Sequence, residues 1–488
     1  MKILKDILYK VSVNAVVGDT NKSVNRIVFD SRKVVQDDVF VAQKGVQVDG
    51  HLYIEKAISL GATSIICEVF PEEKKEGVTY VKVEDSDVAL AILAANYYDN
   101  PSSKIQLIGV TGTNGKTTIT TLLYQLFKNI GYSVGLLSTV KIMVDDKEYK
   151  ATHTTPDSLT INSYLDEMIE AGVEYCFMEV SSHGIHQKRT AGLHFEGGVF
   201  TNLSHDHLDY HETFAEYRDV KKCFFDDLPK SAFSLVNEDD KNGKIMLQNT
   251  KSKKHFYALK TIADYKAKIL EKGFSGTLVT INGTEVWTKL IGEFNVYNLL
   301  AIYGVAEMLG LEKMEILTGI SQLESVSGRF QYVVSEENVT AIVDYAHTPD
   351  ALKNVLQTIN DIRTGNEEVI TVVGCGGDRD KTKRPKMAHI ASQLSSQAIF
   401  TSDNPRSEEA QVIIDEMEEG VAAENFRKTL SVVDRKQAIK TACKFANSGD
   451  IILIAGKGHE NYQEIKGERL HFDDLEEVTK CFNQLKKS

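Results

Sequence analysis

Ile105-Gln106-Leu107-Ile108-Gly109-Val110-Thr111-Gly112-Thr113-Asn114-Gly115-Lys116-Thr117-Thr118 is the stretch that decides the fold. The apolar run Ile105 to Val110 reads as a buried strand, Gly112 and Gly115 permit a tight loop, and a helical pattern starts at Lys116. Strand, glycine loop and helix in that order cradle a nucleotide's phosphates. Backbone N–H groups curl around the oxygens, Lys116 adds a point charge, and the Thr117 hydroxyl can ligate Mg²⁺ at the helix N-terminus. Val110 stands where an eight-residue P-loop has its first glycine, so this loop is a variant of the form G-T-N-G-K-T-T. A chance Gly-Lys-Thr in a surface turn would not be flanked by strand and helix. Gly112, Thr113, Asn114, Gly115, Lys116, Thr117 and Thr118 are therefore the expected ATP-phosphate loop.

The 488 residues exceed what one core organises and suggest about three domains. Hydrophobic residues make up 42% and charged residues 26%, as in a soluble globular protein. No apolar run approaches the roughly 20 residues that span a bilayer, and the N-terminus lacks a signal peptide's apolar core. A cytoplasmic protein without membrane association is expected. Six scattered cysteines, with no C-x-x-C spacing, predict reduced and mostly buried thiols. The net charge of −13 argues against nucleic acid as a partner, and an anionic substrate would need a local cationic site.

The expected class is α/β in three domains. Residues 1–100 mix apolar runs (Val39 to Ala42, Thr63 to Cys67) with a helical pattern, Ile54 to Leu60, and end at the turn-rich Asp99 to Ser103. Residues 101–330 carry the P-loop and further strands at Ser133 to Leu137, Tyr175 to Val180 and Gly198 to Phe200, the alternation of a largely parallel sheet. Between Lys230 and Lys289 short polar strands are expected, then a helix from Val296 to Leu309 that stops at Gly310. Residues 331–488 restart a Rossmann-like α/β pattern, with strands at Thr340 to Val343, Val369 to Val373, Ala398 to Thr401 and Ile451 to Ala455. Ligand groups belong at their C-terminal ends.

Seven of the thirteen histidines lie between His153 and His211. Two segments, Met178 to Gly184 and Asn202 to His211, each end or follow a strand and should converge beside the P-loop. Glu179 and His207 are candidate metal ligands there, against the plainer reading that such histidines satisfy loop hydrogen bonds. A zinc hydrolase would want an H-E-x-x-H that is absent, and Mg²⁺ suits oxygen ligands and phosphates better.

Taken together the motifs resemble the Mur ligases, on the branch that adds the third amino acid to a UDP-N-acetylmuramoyl-dipeptide. The resemblance runs along the chain: Asp30-Ser31-Arg32, the P-loop, Thr152 to Pro156, Glu179 to Gly184, Asn202 to Tyr210, Asn295 to Asn298, Gly328-Arg329-Phe330, Asp344 to Pro349, Gly374 to Pro385, and Gly456 to Glu460. It implies that residues 1–100 bind the UDP-sugar, 101–330 bind ATP, and 331–488 bind the amino acid. It also implies an ATP-dependent amide ligation through an acyl phosphate. Lys116, Glu179, His207 and Lys221 would be catalytic, with Thr117, Glu179, His207 and Lys221 placing Mg²⁺. Lys221 would be carbamylated by CO₂, on the spacing of Tyr217-x-x-x-Lys221; taken alone, Lys221-Lys222 reads as a solvated helix face.

By the same resemblance, Asn298, Arg329, Asp344 and His347 would close on ATP, and Ser31, Thr154, Thr155, Ser181, Gln187 and Arg189 would contact the UDP-sugar and its peptide. Arg379, Asp403, Asn404, Pro405, Arg406, Gly456 and Glu460 would bind meso-diaminopimelate. This last expectation has a physical basis. Diaminopimelate differs from lysine by a second carboxylate, which Arg406 can receive with two parallel hydrogen bonds, while Glu460 and the Gly456 carbonyl take the distal ammonium. A monomer is expected. A folylpolyglutamate synthase shares the P-loop and lysine but has no need of Asp403 to Arg406. A scaffold that had lost catalysis would not need Lys116, Glu179 and Lys221 together.

Overall fold

The computed structural model describes residues 2–45, 48–204 and 210–485. The strand Gln106–Thr111 is the fifth of an eleven-stranded sheet. Its parallel core runs, in spatial order, Val134–Leu137, Tyr175–Glu179, Gln106–Thr111, Gly197–Phe200, Phe233–Asn237 and Lys253–Ala258. Both faces are covered, so the central strand is apolar almost throughout. Ile108 and Val110 join the core on one side with Ile119, Leu122 and Leu123 of the helix Lys116–Ile130. Leu107 joins the other with Cys176 and Met178. That division is the period-two alternation of a strand.

The segment Lys230 to Lys289 departs from expectation. Phe233–Asn237 is wholly buried, because it continues the parallel sheet. Only the antiparallel meander of Tyr265–Gly273, Gly276–Ile281 and Thr284–Thr288 has the alternating exposure of strands with one wet face. The following helix, Glu293–Met308, starts earlier than its hydrophobic pattern suggests, directly after Gly292. Eleven of its residues are buried, so it shows no polar stripe from which to read its ends.

A five-stranded sheet is formed by Val13–Val17, Thr79–Val83, Ser64–Cys67, Val39–Val41 and Ile27–Val28, in that spatial order. A six-stranded sheet runs Gln331–Val334, Thr340–Asp344, Ile451–Ala455, Val369–Val373, Gln397–Phe400 and Thr429–Ser431, antiparallel only at its first pair. The strand Ile451–Ala455, last of the parallel strands in sequence, sits between two earlier ones. The C-terminal ends of its neighbours therefore open a crevice at a topological switch point. All six cysteines are unbridged, and Cys223 alone is exposed. Among the described residues no helix is long and apolar enough to cross a membrane.

Candidate active site

Val110 belongs to the strand, fully buried, which is why the loop is one glycine short of the usual form. The chain turns at Gly112 (φ +145°), where a Cβ would lie 1.9 Å from Thr201 Oγ1, and again at Gly115 (φ +92°), where a Cβ would lie 2.7 Å from Asn298 Oδ1. Close approach thus demands glycine at both positions. The loop is fastened to the segment after the strand Gly197–Phe200. Thr113 N–H donates to Asn202 O (2.8 Å), Asn114 N–H to Asn202 Oδ1 (3.0 Å), and Ser204 N–H to Thr113 Oγ1 (3.0 Å). Lys116 Nζ folds over the loop and donates to Gly112 O (2.9 Å) and Thr113 O (2.8 Å).

A second cation meets the same carbonyl. Lys221, on the helix Phe214–Asp226, is 1% exposed, donates to Gly112 O at 3.1 Å, and lies 4.8 Å from the ring centre of Tyr217. Tyr217 Oη is 3.2 Å from Thr113 Oγ1, so the Tyr-x-x-x-Lys segment touches the loop twice. Lys222 instead pairs with Asp226 at 2.6 Å. Glu179 ends its strand fully buried: Oε1 accepts from Thr139 N–H at 2.8 Å, and Oε2 has no partner among the described residues. A buried carboxylate oxygen left without a donor is an uncommon cost and suits a hard cation. His207 lies outside the described residues. Among those described there is no group of three or more His, Cys, Asp or Glu that would hold a metal unaided.

The expected histidine cluster forms in part. His183 and His186 of the helix Ser182–His186 and the buried His211 gather around Tyr210, with His186 Nδ1 2.9 Å from Tyr210 Oη. His153 is exposed beside Thr152, and His194 sits elsewhere, its N–H donating to Ser102 Oγ.

Beside the loop is a cleft of about 390 Å³ lined by Asn114, Gly115, Thr118, Asn298, Arg329, Asp344 and His347 among others. Residues from distant segments, expected to close on one nucleotide, are therefore neighbours. Arg329 reaches across, its Nη2 donating to Thr117 Oγ1 at 3.2 Å while its guanidinium lies 4.6 Å from the Tyr345 ring centre. Burial pushes the Asp344 carboxyl up to about 6 against the pull of Arg329 and the Phe330 and Ala346 N–H groups. His347 Nδ1 donates to Tyr345 O at 2.8 Å. Asp239, another lining residue, is held down at about 2: burial pushes it up, but the Lys260 N–H, Tyr297 and Thr261 hydroxyls and Leu259 N–H outweigh that. Nothing in the sequence singled it out.

A larger cleft, about 860 Å³, carries Thr154, His183 and Ser204 together with Arg379, Asp403, Asn404, Arg406, Gly456 and Glu460. Thr155, Ser181, Gln187 and Arg189 stand behind it, bonded to one another. Thr155 Oγ1 donates to Glu179 O (2.8 Å) and accepts from Ser181 N–H (2.9 Å), and Ser181 Oγ caps its helix through Gly184 N–H (3.1 Å). Arg189 donates to Thr155 O (2.5 Å) and to Gln187 Oε1 (2.6 Å), and burial lowers its pKa. Ser31, buried in the short helix Ser31–Lys33, lines neither cleft.

On the third sheet, Asp403, Asn404 and Pro405 are buried and Arg406 adopts left-handed backbone (φ +52°). Arg406 Nη1 donates to Gly377 O at 2.7 Å, and its backbone bridges Ile465 of the hairpin Tyr462–Ile465 and Glu468–His471. Arg379 is exposed, with Nη1 on Asp378 O at 3.2 Å. Sequence reasoning missed Lys457, which is fully buried between Asn404 and Glu460. It lies inside the motif Gly456 to Glu460, but its neighbours in sequence give no sign of the burial.

Three family models match in order: "Mur ligase family, catalytic domain" at residues 23–98, "Mur ligase middle domain" at 110–306, and "Mur ligase, glutamate ligase domain" at 328–458. The chain is 53% identical over 472 residues to the UDP-N-acetylmuramoyl-L-alanyl-D-glutamate--2,6-diaminopimelate ligase of Cytophaga hutchinsonii, covering 96% of this chain and 97% of that one. It is 53% identical over 479 residues to the ligase of the same name from Phocaeicola vulgatus, covering 98% and 99%. A solved structure of a ligase of that name is similar over 100% of both chains, with TM-score 0.72 and 31% identity. The folylpolyglutamate synthase of Mycobacterium tuberculosis, 16% identical with TM-score 0.61 over 76% of this chain and 92% of its own, shares the fold. The matched segments take in the P-loop, the buried Glu179 and Lys221 beside it, and the loops at the third sheet's strand ends, so the chain belongs to the Mur ligase family.

Proposed function

We propose that the chain is an ATP-dependent ligase that joins meso-2,6-diaminopimelate to UDP-N-acetylmuramoyl-L-alanyl-D-glutamate, making a peptidoglycan precursor in the cytoplasm. One observation carries the reading: a single cleft has Thr154, His183 and Ser204 on one wall and Asn404, Arg406 and Glu460 on the other. A carboxylate held near the P-loop and an amine held by the third sheet would meet there. Residues 1–100 are assigned to the UDP-sugar, with Ser31 at its uridine end; 101–330 to ATP and catalysis; and 331–488 to the amino acid.

The chemistry must bring two anions together. A carboxylate oxygen of the dipeptide attacks the γ-phosphorus of ATP, the bond to the ADP oxygen breaks, and an acyl phosphate forms. The amine of diaminopimelate then attacks the acyl carbon, phosphate leaves, and the amide nitrogen loses a proton. Lys116 and the N–H groups of Gly115 to Thr118, at the start of the helix, would hold the β- and γ-phosphates and offset their charge. Asn298 would face the adenine, and Arg329, Asp344 and His347 the rest of the nucleotide. Thr154 lines the cleft where the sugar-linked peptide would lie, with Thr155, Ser181, Gln187 and Arg189 behind it, and Arg189 would be the cation for its anionic groups. Thr117, Glu179, His207 and the carbamate of Lys221 would hold Mg²⁺, which when bound would supply positive charge to the phosphates.

Lys221 would serve as its carbamate. The neutral amine adds CO₂ and loses a proton, keeping one N–H for Gly112 O and presenting a new carboxylate. Lys221→Ala is expected to reduce turnover by about 10²-fold or more, with partial recovery in acetate or formate at high concentration. A folded Lys221→Ala protein of undiminished turnover, or one that small carboxylates leave inactive, would count against the carbamate.

The activity itself is tested by release of ADP. It should require the UDP-dipeptide and diaminopimelate together. Release with a folylpolyglutamate and glutamate instead would move the chain to the folate branch, and release with ATP alone would remove the ligase reading.

A further inference from the structure

Lys457, in the loop after the strand Ile451–Ala455, is fully buried, a costly place for an ammonium unless its partners compensate. Its Nζ donates to Asn404 Oδ1 at 3.0 Å and to Glu460 Oε2 at 3.3 Å, and lies 5.5 Å from the ring centre of Tyr462. Asn404 is held at both ends of its amide. Nδ2 donates to Glu460 Oε2 at 2.7 Å, and Oδ1 also accepts from Glu464 N–H at 2.9 Å. One oxygen of Glu460 is thereby fixed inward, while Asn404 and Glu460 both line the large cleft. An apolar side chain of similar length would fill the same space at lower cost, so filling space does not account for a charge here.

We propose that Lys457 is a positioning residue for amino-acid recognition, holding Glu460 as a carboxylate and fixing the Asn404 amide so that Glu460 takes the distal ammonium of the incoming diamino acid. This rests on the function proposed above. The surroundings of Glu460 make such a cation necessary. Burial and the neighbouring Asp403 push Glu460 toward its neutral form, and Lys457 and Asn404 push it back. Among the described residues, Tyr345, Tyr462 and Arg435 also feel its charge. Burial keeps both tyrosines neutral, and Arg435 is committed to Asp474 at 2.7 Å. Among the described residues, Lys457 is the cation within hydrogen-bond reach of Glu460. Without it burial and Asp403 would act on Glu460 less opposed, favouring the neutral acid, which gives an ammonium no charge-assisted bond.

The test compares Lys457→Met and Lys457→Gln with the wild-type chain, measuring KM for diaminopimelate, ATP and the UDP-dipeptide across pH. Loss of one charge-assisted hydrogen bond is worth roughly 10- to 100-fold, and that rise is expected in the diaminopimelate KM near neutral pH, with kcat and the other two KM values little changed. The sign of the pH effect is fixed. Removing the cation raises the pH at which Glu460 ionises, so the defect is worst at low pH and shrinks as pH rises. On a Glu460→Gln background the same substitutions should add little. All three KM values rising together, or a diaminopimelate KM that keeps the wild-type pH profile, would overturn the proposal. Should neither variant at 457 fold, Glu460→Gln alone decides, since an unchanged diaminopimelate KM removes the group through which Lys457 acts. A wild-type chain that does not turn over diaminopimelate refutes the proposed function instead.

Discussion

Lys116→Ala should leave a folded protein with turnover reduced by at least about 10³-fold, or about 4 kcal/mol of transition-state stabilisation. The size follows from where the charge sits. Lys116 Nζ lies over the carbonyls of Gly112 and Thr113, beside the N-terminus of the helix Lys116–Ile130. In the transition state the transferring phosphoryl group lies between two anionic oxygens, and this cation would offset the charge gathered there. Stability should change little, because Lys116 is half-buried and its two hydrogen bonds to loop carbonyls are worth roughly 1 kcal/mol each at most. A thermal melt beside single-turnover ADP release separates the two effects. Turnover within about tenfold of wild type, a deficit of about 1.4 kcal/mol, would show that Lys116 does not hold the reacting phosphate.

Arg406→Ala is expected to raise KM for diaminopimelate by roughly 30- to 1,000-fold, about 2–4 kcal/mol, while KM for ATP stays put. The strand Gln397–Phe400 delivers Arg406 to the cleft, and the loop reaches it in left-handed backbone pinned by the β-bridge to Ile465. One guanidinium nitrogen is spent on Gly377 O, which fixes the plane of the group. A second carboxylate on the substrate can then meet a pre-aligned donor pair. Lysine has no such carboxylate and would leave the half-buried guanidinium without that partner, so it should bind poorly to the wild type and gain relative to diaminopimelate in the variant. Arg406→Ala with an unaltered diaminopimelate KM would mean that the second carboxylate is bound elsewhere.

Local signals carried a good part of this structure. The run Ile105 to Val110, two glycines and a helix start are contiguous, so the P-loop and its strand could be read directly, as could the strands Val369–Val373 and Ile451–Ala455. Long-range placement was harder. Whether Lys253–Ala258 joins the parallel sheet depends on its pairing with Phe233–Asn237, not on its own polar pattern. Lys457 sits between glycines in sequence, and only its contacts with Asn404, fifty-three positions away, show that it is buried. The roles of Thr155 and Ser181 were likewise hidden. Their hydroxyls serve the local backbone at Glu179 and Gly184, which a motif match cannot convey. Asp239 gives no sequence signal at all, since its five donors come from a loop and a helix that meet only in the fold.

The most direct test of the account offers the wild-type chain ATP, the UDP-dipeptide and an equimolar mixture of meso-diaminopimelate and lysine, and weighs the products by mass spectrometry. The account predicts the diaminopimelate adduct almost alone, with one ADP released for each amide formed. A product mixture carrying lysine in comparable amount would contradict it.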